Sequence, residues 1–290
     1  MPANPAFIPT NYCISFIDLL GQRDALRGQG LLPAINSEAG NAAISRVIRD
    51  SIRPVLQLQR DVEDLVKAVS PNPNSPIRMS LSRQKRAVYD EMQLKRVKSQ
   101  YWSDGFVRFV CLEDAGIKCP LNGVTEIFQF SGYFCLLGLA QRHPVRGAID
   151  IAWGVEASYG GLYGPVVANA YELESKVAQY PRIVVGQRVV DFLEAHLSNT
   201  NDDPFTQGNR SWAQLCRDML LKDDDGQWIV HYLGATFQHS VTHTNHDFIQ
   251  NKARAFLIDQ LKEHRKSKNK KLTLRYNQLL NYFNAYPSST

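Results

Sequence analysis

The run Tyr12 to Leu20 (YCISFIDLL) is apolar, rich in aromatic and β-branched residues, and stopped by Gly21. It reads as a buried strand, and its one acid, Asp18, falls near the carboxyl end. A carboxylate in such a place costs several kcal/mol unless it is paired or bound to a cation. An apolar core supplies neither. The fold of this chain therefore has to bring a cation or hydrogen-bond donors to the end of its first strand.

The chain's 290 residues can bury a sizeable core without help from disulfides or a structural metal. Its 33 Lys and Arg against 28 Asp and Glu leave a net charge of +5, which excludes both an acidic tail protein and a histone-like one. A hydrophobic share of 44% describes a soluble globular protein. Cys13, Cys111, Cys119, Cys135 and Cys216 form no Cys-x-x-Cys pair, and an odd count suits reduced, buried thiols. Met1 to Thr10 shows no basic-then-apolar leader pattern, and no charge-free window of ~18 apolar residues predicts a membrane span. The expectation is a cytoplasmic protein.

Leu26 to Pro33 reads as a loop. From Asn36 an amphipathic helix is expected, with Ile44, Val47, Ile48, Ile52, Val55 and Leu56 on one stripe and Arg46, Arg49 and Arg53 on another face. Pro54 should bend or divide it, and three prolines between Ser70 and Pro76 break it. Met79 to Lys98 is charged and suits a further helix or an exposed excursion. In YWSDGFVRFVCL, from Tyr101 to Leu112, two strands flank the turn Ser103-Asp104-Gly105.

Further along, Val124 to Ala140 reads as a helix, Arg146 to Trp153 as a strand, Val167 to Val177 as a helix, Arg182 to Val185 as a short strand and Val189 to Leu197 as a helix. Ser198 to Arg210 is polar and reads as a loop. Trp228 to Leu233 alternates as a strand does, and Asp247 to His264 is a helix that runs into the basic stretch Lys262 to Lys271. This order implies one α+β domain with an antiparallel element, similar to a split β-α-β unit. No glycine-rich phosphate loop follows the first strand, which excludes the doubly wound nucleotide folds.

If the first strand neighbours the hairpin, Asp18 and Asp104 converge at one end of the sheet. Two adjacent carboxylates repel unless cations neutralise them. Hard oxygen donors suit Mg²⁺ or Mn²⁺, and a pair of such ions suits phosphoryl transfer. The same residues also fit a plainer reading. Ser-Asp-Gly is ordinary turn chemistry, and Asp18 would then cap the turn that follows it.

The stretches FIDLLG (Phe16 to Gly21), SDG (Ser103 to Gly105), PVRGAIDIAWG (Pro144 to Gly154) and YGPVVANAYELES (Tyr163 to Ser175), the last followed by YPRIVV, together resemble the class III nucleotidyl cyclases. Their closest likeness is to the bacterial antiphage pyrimidine cyclases of Pycsar systems. The resemblance spans Tyr12 to Val190 and implies a ferredoxin-like β-α-β-β-α-β core with a largely antiparallel sheet. On it, residues 10–200 form the catalytic domain, with a helical excursion over 36–98, and residues 201–290 a strand and helix extension packed on the same domain.

The resemblance also implies two Mn²⁺ or Mg²⁺ ions per site, held by Asp18, Asp104 and the backbone carbonyl of Leu19, with Arg146 on the polyphosphate. It implies a homodimer with sites at the shared interface and a separate effector that responds to the cyclic product in antiviral defence. Two purine-reading positions depart from the relatives: Gln100 stands in place of a lysine and Gly161 in place of an aspartate. Losing both turns the expected substrate from ATP or GTP to UTP, giving cyclic UMP, or alternatively to CTP, giving cyclic CMP. The ribose-orienting asparagine and transition-state arginine are replaced by Ala168 and Glu172. Asn169 is then the substitute for the first, and Arg46, Arg49 or Arg53 a source of positive charge or a base contact. A catalytically inactive nucleotide-binding, dimerising module is the alternative.

Other features carry plainer expectations. His239, His243 and His246 lack the glutamate of a zincin motif and read as a polar surface turn or helix start. The run Lys262 to Lys271 has no interleaved aromatics, so a solvated helix end is expected rather than a nucleic-acid surface. Arg182 is expected to pair with an acid such as Glu174, or to take part in dimer or phosphate contacts. Trp153 and Trp228 are expected in the core or an interface.

Overall fold

The computed structural model describes residues 8–21, 37–68, 74–101, 105–157, 160–241 and 245–288. Asp104, His243 and the loop expected over Leu26 to Pro33 lie outside the described residues. Strand β1 (Thr10–Leu19) pairs antiparallel with both β3 (Gly105–Cys111) and β4 (Val145–Glu156). A strand flanked on both edges and covered on both faces explains why this run is apolar without alternation. On the far side of β3, β2 (Lys98–Tyr101) pairs antiparallel with it, as the expected hairpin requires. Beyond β4 come β6 (Ile183–Val185), β8 (Trp228–Val230) and β7 (Leu220–Lys222), and the short β5 (Leu162–Tyr163) adds to β4. The sheet order is β2-β3-β1-β4-β6-β8-β7, antiparallel throughout except between β4 and β6. This is an α+β fold with helices flanking an open sheet.

The helices in chain order are α1 (Glu38–Val47), α2 (Arg53–Ala68), α3 (Pro76–Ser80), α4 (Arg83–Met92), α5 (Pro120–Ala140), α6 (Pro165–Glu172), α7 (Gln187–Leu197), α8 (Pro204–Asp218), α9 (Ala235–Ser240), α10 (His246–Lys266) and α11 (Lys270–Ala285). Alternation along the strands sends two sets of side chains to opposite faces. Cys13, Ile17 and Leu19 of β1, with Phe106, Val110, Val145 and Ile149, face α5 and form the main core. Tyr12, Ile14 and Phe16, with Val107 and Phe109, face α6 and meet its Val166 and Ala170. Asp18, Gly105 and Arg146 stand in register on this second face, at one end of the sheet. Helix α5 is long and apolar enough to cross a membrane, yet 83% of its most apolar window is buried within this fold. Its Glu126 is ion-paired with Lys95 at 2.8 Å and with Arg108 at 2.5 Å.

Three expectations change. A π-turn, Ile48–Ile52, joins α1 to α2, closed by Arg53 N–H on the Ile48 carbonyl. It stands just before Pro54, which has no N–H to give the ladder, so the helix is neither broken nor simply continued. The extra residue rotates the apolar phase. Val55 and Leu58 are buried, while Ile48, Ile52 and Leu56 of the expected stripe are nearly half exposed. The polar stretch expected as a loop to Arg210 instead enters α8 at Pro204. Asp203 caps it, its Oδ1 accepting from Phe205 N and Thr206 N at 3.0 Å, with proline at the first helical position. The basic run is not one helix end. It spans the turn between α10 and α11, where Lys268 takes φ +56° and Asn269 caps α11 through Leu272 N. Phe256, Leu257 and Leu261 of α10 and Tyr276, Leu279 and Phe283 of α11 join the main core.

Candidate active site

Because β1 and β4 run antiparallel with Asp18 opposite Arg146, the two side chains emerge side by side, Arg146 Nη2 lying 3.8 Å from Asp18 Oδ2. Glu174 holds the guanidinium from the other side, accepting from Arg146 Nε. It belongs to the π-turn Leu173–Val177 that follows α6, and its side chain is 2% exposed. Sequence reasoning offered Glu174 to Arg182. The structure gives it to Arg146, because Arg182 is claimed by the β7–β8 turn: it donates to Asp223 and Asp225 at 2.6 Å and to the Val177 carbonyl at 2.9 Å.

Asp18, Arg146 and Glu174 line a cavity of about 400 Å³ with Leu19, Gly105 and Tyr171. The Leu19 side chain points into the main core, 3% exposed, so its backbone is what this cavity meets. Gly105 stands in register with Asp18. A Cβ there would come within 3.0 Å of the Ile17 carbonyl oxygen, so glycine permits the close approach of β3 to the end of β1. Asp104, the preceding residue in the sequence, lies outside the described residues.

A second cavity of about 500 Å³, lined mostly by apolar atoms, adjoins the first, with Tyr171 in the wall of both. The Tyr171 ring packs edge-on against Phe16 at 5.6 Å. Gln100, Leu162, Tyr163, Val167 and Ala168 form the rest of the second wall. The Leu162 N–H donates to Gln100 Oε1 at 3.1 Å. A backbone N–H only donates, so the amide oxygen is fixed on that side and the Gln100 NH₂ is turned the other way. Gly161 is buried in the β4–β5 turn, its carbonyl accepting from Ala157 N at 2.8 Å.

Asn169 lines a different cavity of about 460 Å³, with Asp150, Glu172, Lys176 and Arg188. Asp150, 1% exposed, accepts from Arg188 through Oδ2, while its Oδ1 has no hydrogen-bond partner among the described residues. Arg46 of α1, Arg49 of the π-turn and Arg53 of α2 are exposed, while Val55 and Leu58 of α2 pack on the α5 side of the sheet. Among the described residues, then, Asp18, Leu19 and Arg146 come together, Gln100 lies one cavity away, and Asn169 and the three arginines of the long helical segment stand elsewhere in the chain. Trp153 is 52% exposed rather than in the core, and Trp228 is partly buried against it. His246 opens α10, in keeping with the expected helix start, but it is buried rather than on a polar surface, its Nε2 within 3.0 Å of the Tyr232 carbonyl; His239 is exposed. The five cysteines are unpaired, and burial raises the Cys135 and Cys216 thiols to about 12.

No group of three or more His, Cys, Asp or Glu side chains able to hold a metal occurs among the described residues. The Asp18 carboxylate, 27% exposed and in the wall of the first cavity, is a hard oxygen donor of the kind Mg²⁺ and Mn²⁺ take. Glu174 and Tyr171 are the site residues that sequence reasoning missed. Their i, i+3 spacing places them on one helical face, and that is the signal available for finding them.

No protein-family model matches the chain, and no characterised protein matches its sequence.

Proposed function

We propose that this chain is a metal-dependent pyrimidine nucleotide cyclase that converts UTP to 3′,5′-cyclic UMP and pyrophosphate. The observation that carries the reading is the register of β1 and β4, which sets Asp18 against Arg146 in a cavity contiguous with a mostly apolar one lined by Gln100. The sheet order supports a class III cyclase core of the β-α-β-β-α-β type: β1 lies between β3 and β4, and a parallel β6 follows α6.

On this reading Asp18, the Leu19 carbonyl and Asp104 hold two Mn²⁺ or Mg²⁺ ions, and the Arg146 guanidinium grips the polyphosphate, a task that suits its planar fork. Bound ions would neutralise the carboxylates and the triphosphate and lower the pKa of the ribose 3′-hydroxyl. The 3′-oxygen attacks the α-phosphorus in line, the bond to the bridging oxygen breaks, and pyrophosphate leaves. The hydroxyl proton passes to solvent, and no protein nucleophile is required. With Oε1 engaged by Leu162, Gln100 offers donors. Uracil presents the O4 carbonyl where cytosine carries an amino group, so the amide favours UTP over CTP. The exposed rings of Trp153, Tyr163 and Tyr171, on the side where the second cavity opens, are the surface a second copy would cover in a homodimer. The product would serve as a cytoplasmic messenger for a separate antiviral effector.

One observation favours a second reading, a silent nucleotide-binding module. Glu172 stands where the resemblance asks for a transition-state arginine, and it is ion-paired with Lys176. Incubating the protein with each of the four ribonucleoside triphosphates and Mn²⁺, and resolving products by chromatography, separates the two. The cyclase reading predicts pyrophosphate and a cyclic product from UTP. Binding without turnover of any triphosphate would leave the module.

A further inference from the structure

Helix α6 is held to the sheet by Val166 and Ala170, four residues apart and buried among side chains of β1 and β3. Val167 and Tyr171 form the adjoining stripe, and Glu174 follows three residues later. Val167 and Ala168 wall the mostly apolar second cavity, and Glu174 and Ser175 wall the charged first one. Tyr171 walls both, and among the described residues it is the one common to the two linings. Its ring is fixed on one side. Phe16, 4% exposed, meets it edge-on at 5.6 Å, and Ser175 Oγ donates to the Tyr171 carbonyl at 2.7 Å. Even so, Tyr171 is 54% exposed. A large ring that the core only half covers, set where two cavities meet, has a face to offer to a ligand.

The sugar of a nucleotide lies between its phosphates and its base. With the triphosphate at Arg146 and the base at Gln100, a nucleotide that enters both cavities has to pass this ring. Asn169 lines a different cavity, so it does not meet the sugar there. We propose that Tyr171 is the nucleoside platform of the site: its ring carries the ribose and the near edge of the base, and so sets the 3′-hydroxyl toward the first cavity. The proposal rests on the reading of the two cavities as one nucleotide site and names a contact residue for it. A face-on ring contact does not read hydrogen-bonding pattern, so it serves uracil and cytosine nucleotides alike and leaves Gln100 to tell them apart. In the homodimer of that reading, the second copy closes over the nucleotide from the other side.

Two probes divide the site, each titrated calorimetrically with Mg²⁺ into the full chain. Inorganic tripolyphosphate has no nucleoside, and uridine 5′-(α,β-methylene)triphosphate carries one but has a carbon bridge that cannot be cleaved. Tyr171→Leu should weaken the nucleotide analogue about 10-fold, the loss typical of a stacking ring, and leave tripolyphosphate within about 2-fold of the wild type. Tyr171→Phe keeps the ring and should stay within about 3-fold of the wild type for both probes. Thermal unfolding confirms that each variant folds, and Tyr171→Gln replaces Tyr171→Leu if that one does not. In parallel, UTP kinetics of Tyr171→Leu should show a raised KM and, with the 3′-hydroxyl less well placed, a lowered kcat. Equal losses for the two probes, unchanged affinity for both, or no binding of the analogue by the wild type overturns the platform. A loss confined to the nucleotide analogue, without a cyclic product from any triphosphate, keeps the platform and sinks the cyclase reading. Turnover of UTP by Tyr171→Leu with wild-type KM and kcat does the reverse.

Discussion

Removing Glu174 and Arg146 together should cost less than the sum of removing each alone. The Glu174 side chain is 2% exposed and that of Arg146 is 20% exposed, and they are hydrogen-bonded to each other. Breaking a buried ion pair from one side costs about 3–5 kcal/mol, most of it the penalty of leaving the other charge stranded. In Glu174→Ala the stranded group is Arg146, which keeps some water and has Asp18 at 3.8 Å to turn to, so the low end, about 3 kcal/mol, is expected. In Arg146→Ala the group that loses this donor is the far more buried carboxylate, and the cost should be higher, about 4 kcal/mol. The double variant strands neither, so the two losses should overlap by about 2–3 kcal/mol in a double-mutant cycle. Urea unfolding of the four proteins, followed by tryptophan fluorescence at matched slopes, measures that coupling, and Glu174→Gln should lose only about 1 kcal/mol because its shape and one bond persist. Additive losses, within about 0.5 kcal/mol, would refute the placement of Glu174 as the partner that holds Arg146.

Three further outcomes follow from the same geometry. A Cβ on Gly186 would sit 2.4 Å from Asp150 Oδ1, so Gly186→Ala should destabilise the chain by about 2 kcal/mol, and an unchanged melting temperature would contradict that contact. Arg182 is 2% exposed and tied to Asp223, Asp225 and the Val177 carbonyl; Arg182→Met should cost about 3 kcal/mol in urea unfolding, and a loss under about 0.5 kcal/mol would show the cluster contributes nothing. His231 donates to or accepts from the Tyr282 hydroxyl at 3.0 Å, and burial lowers its pKa from 6.5 to about 4. The unfolded chain therefore takes up this proton first, so the stability His231 contributes is complete above pH 6.5 and drains away as pH falls toward about 4. The pH dependence of the melting temperature across that window should be flatter for His231→Asn, and identical slopes would argue against a half-buried neutral imidazole beside Tyr282 of α11.

The elements that were legible from sequence are those whose burial is local. β1 reads as a buried strand because both its faces are covered, by α5 and by α6, and its terminal acid announces itself by being the wrong residue for a core. What faces Asp18 was not legible from spacing, since the pairing with Arg146 is a cross-strand register over more than a hundred residues. Glu174 was assigned to the wrong arginine for the same reason: the acids that take Arg182 come from a turn forty residues away. Helix α8 was obscured because Gly208, Ala213 and Cys216, among its buried residues, are small and give little hydrophobic signal; Asp203-Pro204 was the mark to read. The break between α10 and α11 carries neither glycine nor proline, and Lys268 takes the left-handed conformation a glycine would have flagged. The π-turn before Pro54 shifted the apolar stripe by a residue, which a fixed helical period does not foresee.

The most direct test is a titration of Mn²⁺ into the protein saturated with 3′-deoxy-UTP, which keeps the triphosphate and lacks the attacking oxygen, with bound ion counted by electron paramagnetic resonance. Two ions per site are predicted for the wild type, with the count reduced in both Asp18→Asn and Asp104→Asn while their melting temperatures stay near that of the parent. Full Mn²⁺ occupancy in either folded variant would contradict the claim that these two acids hold the metals.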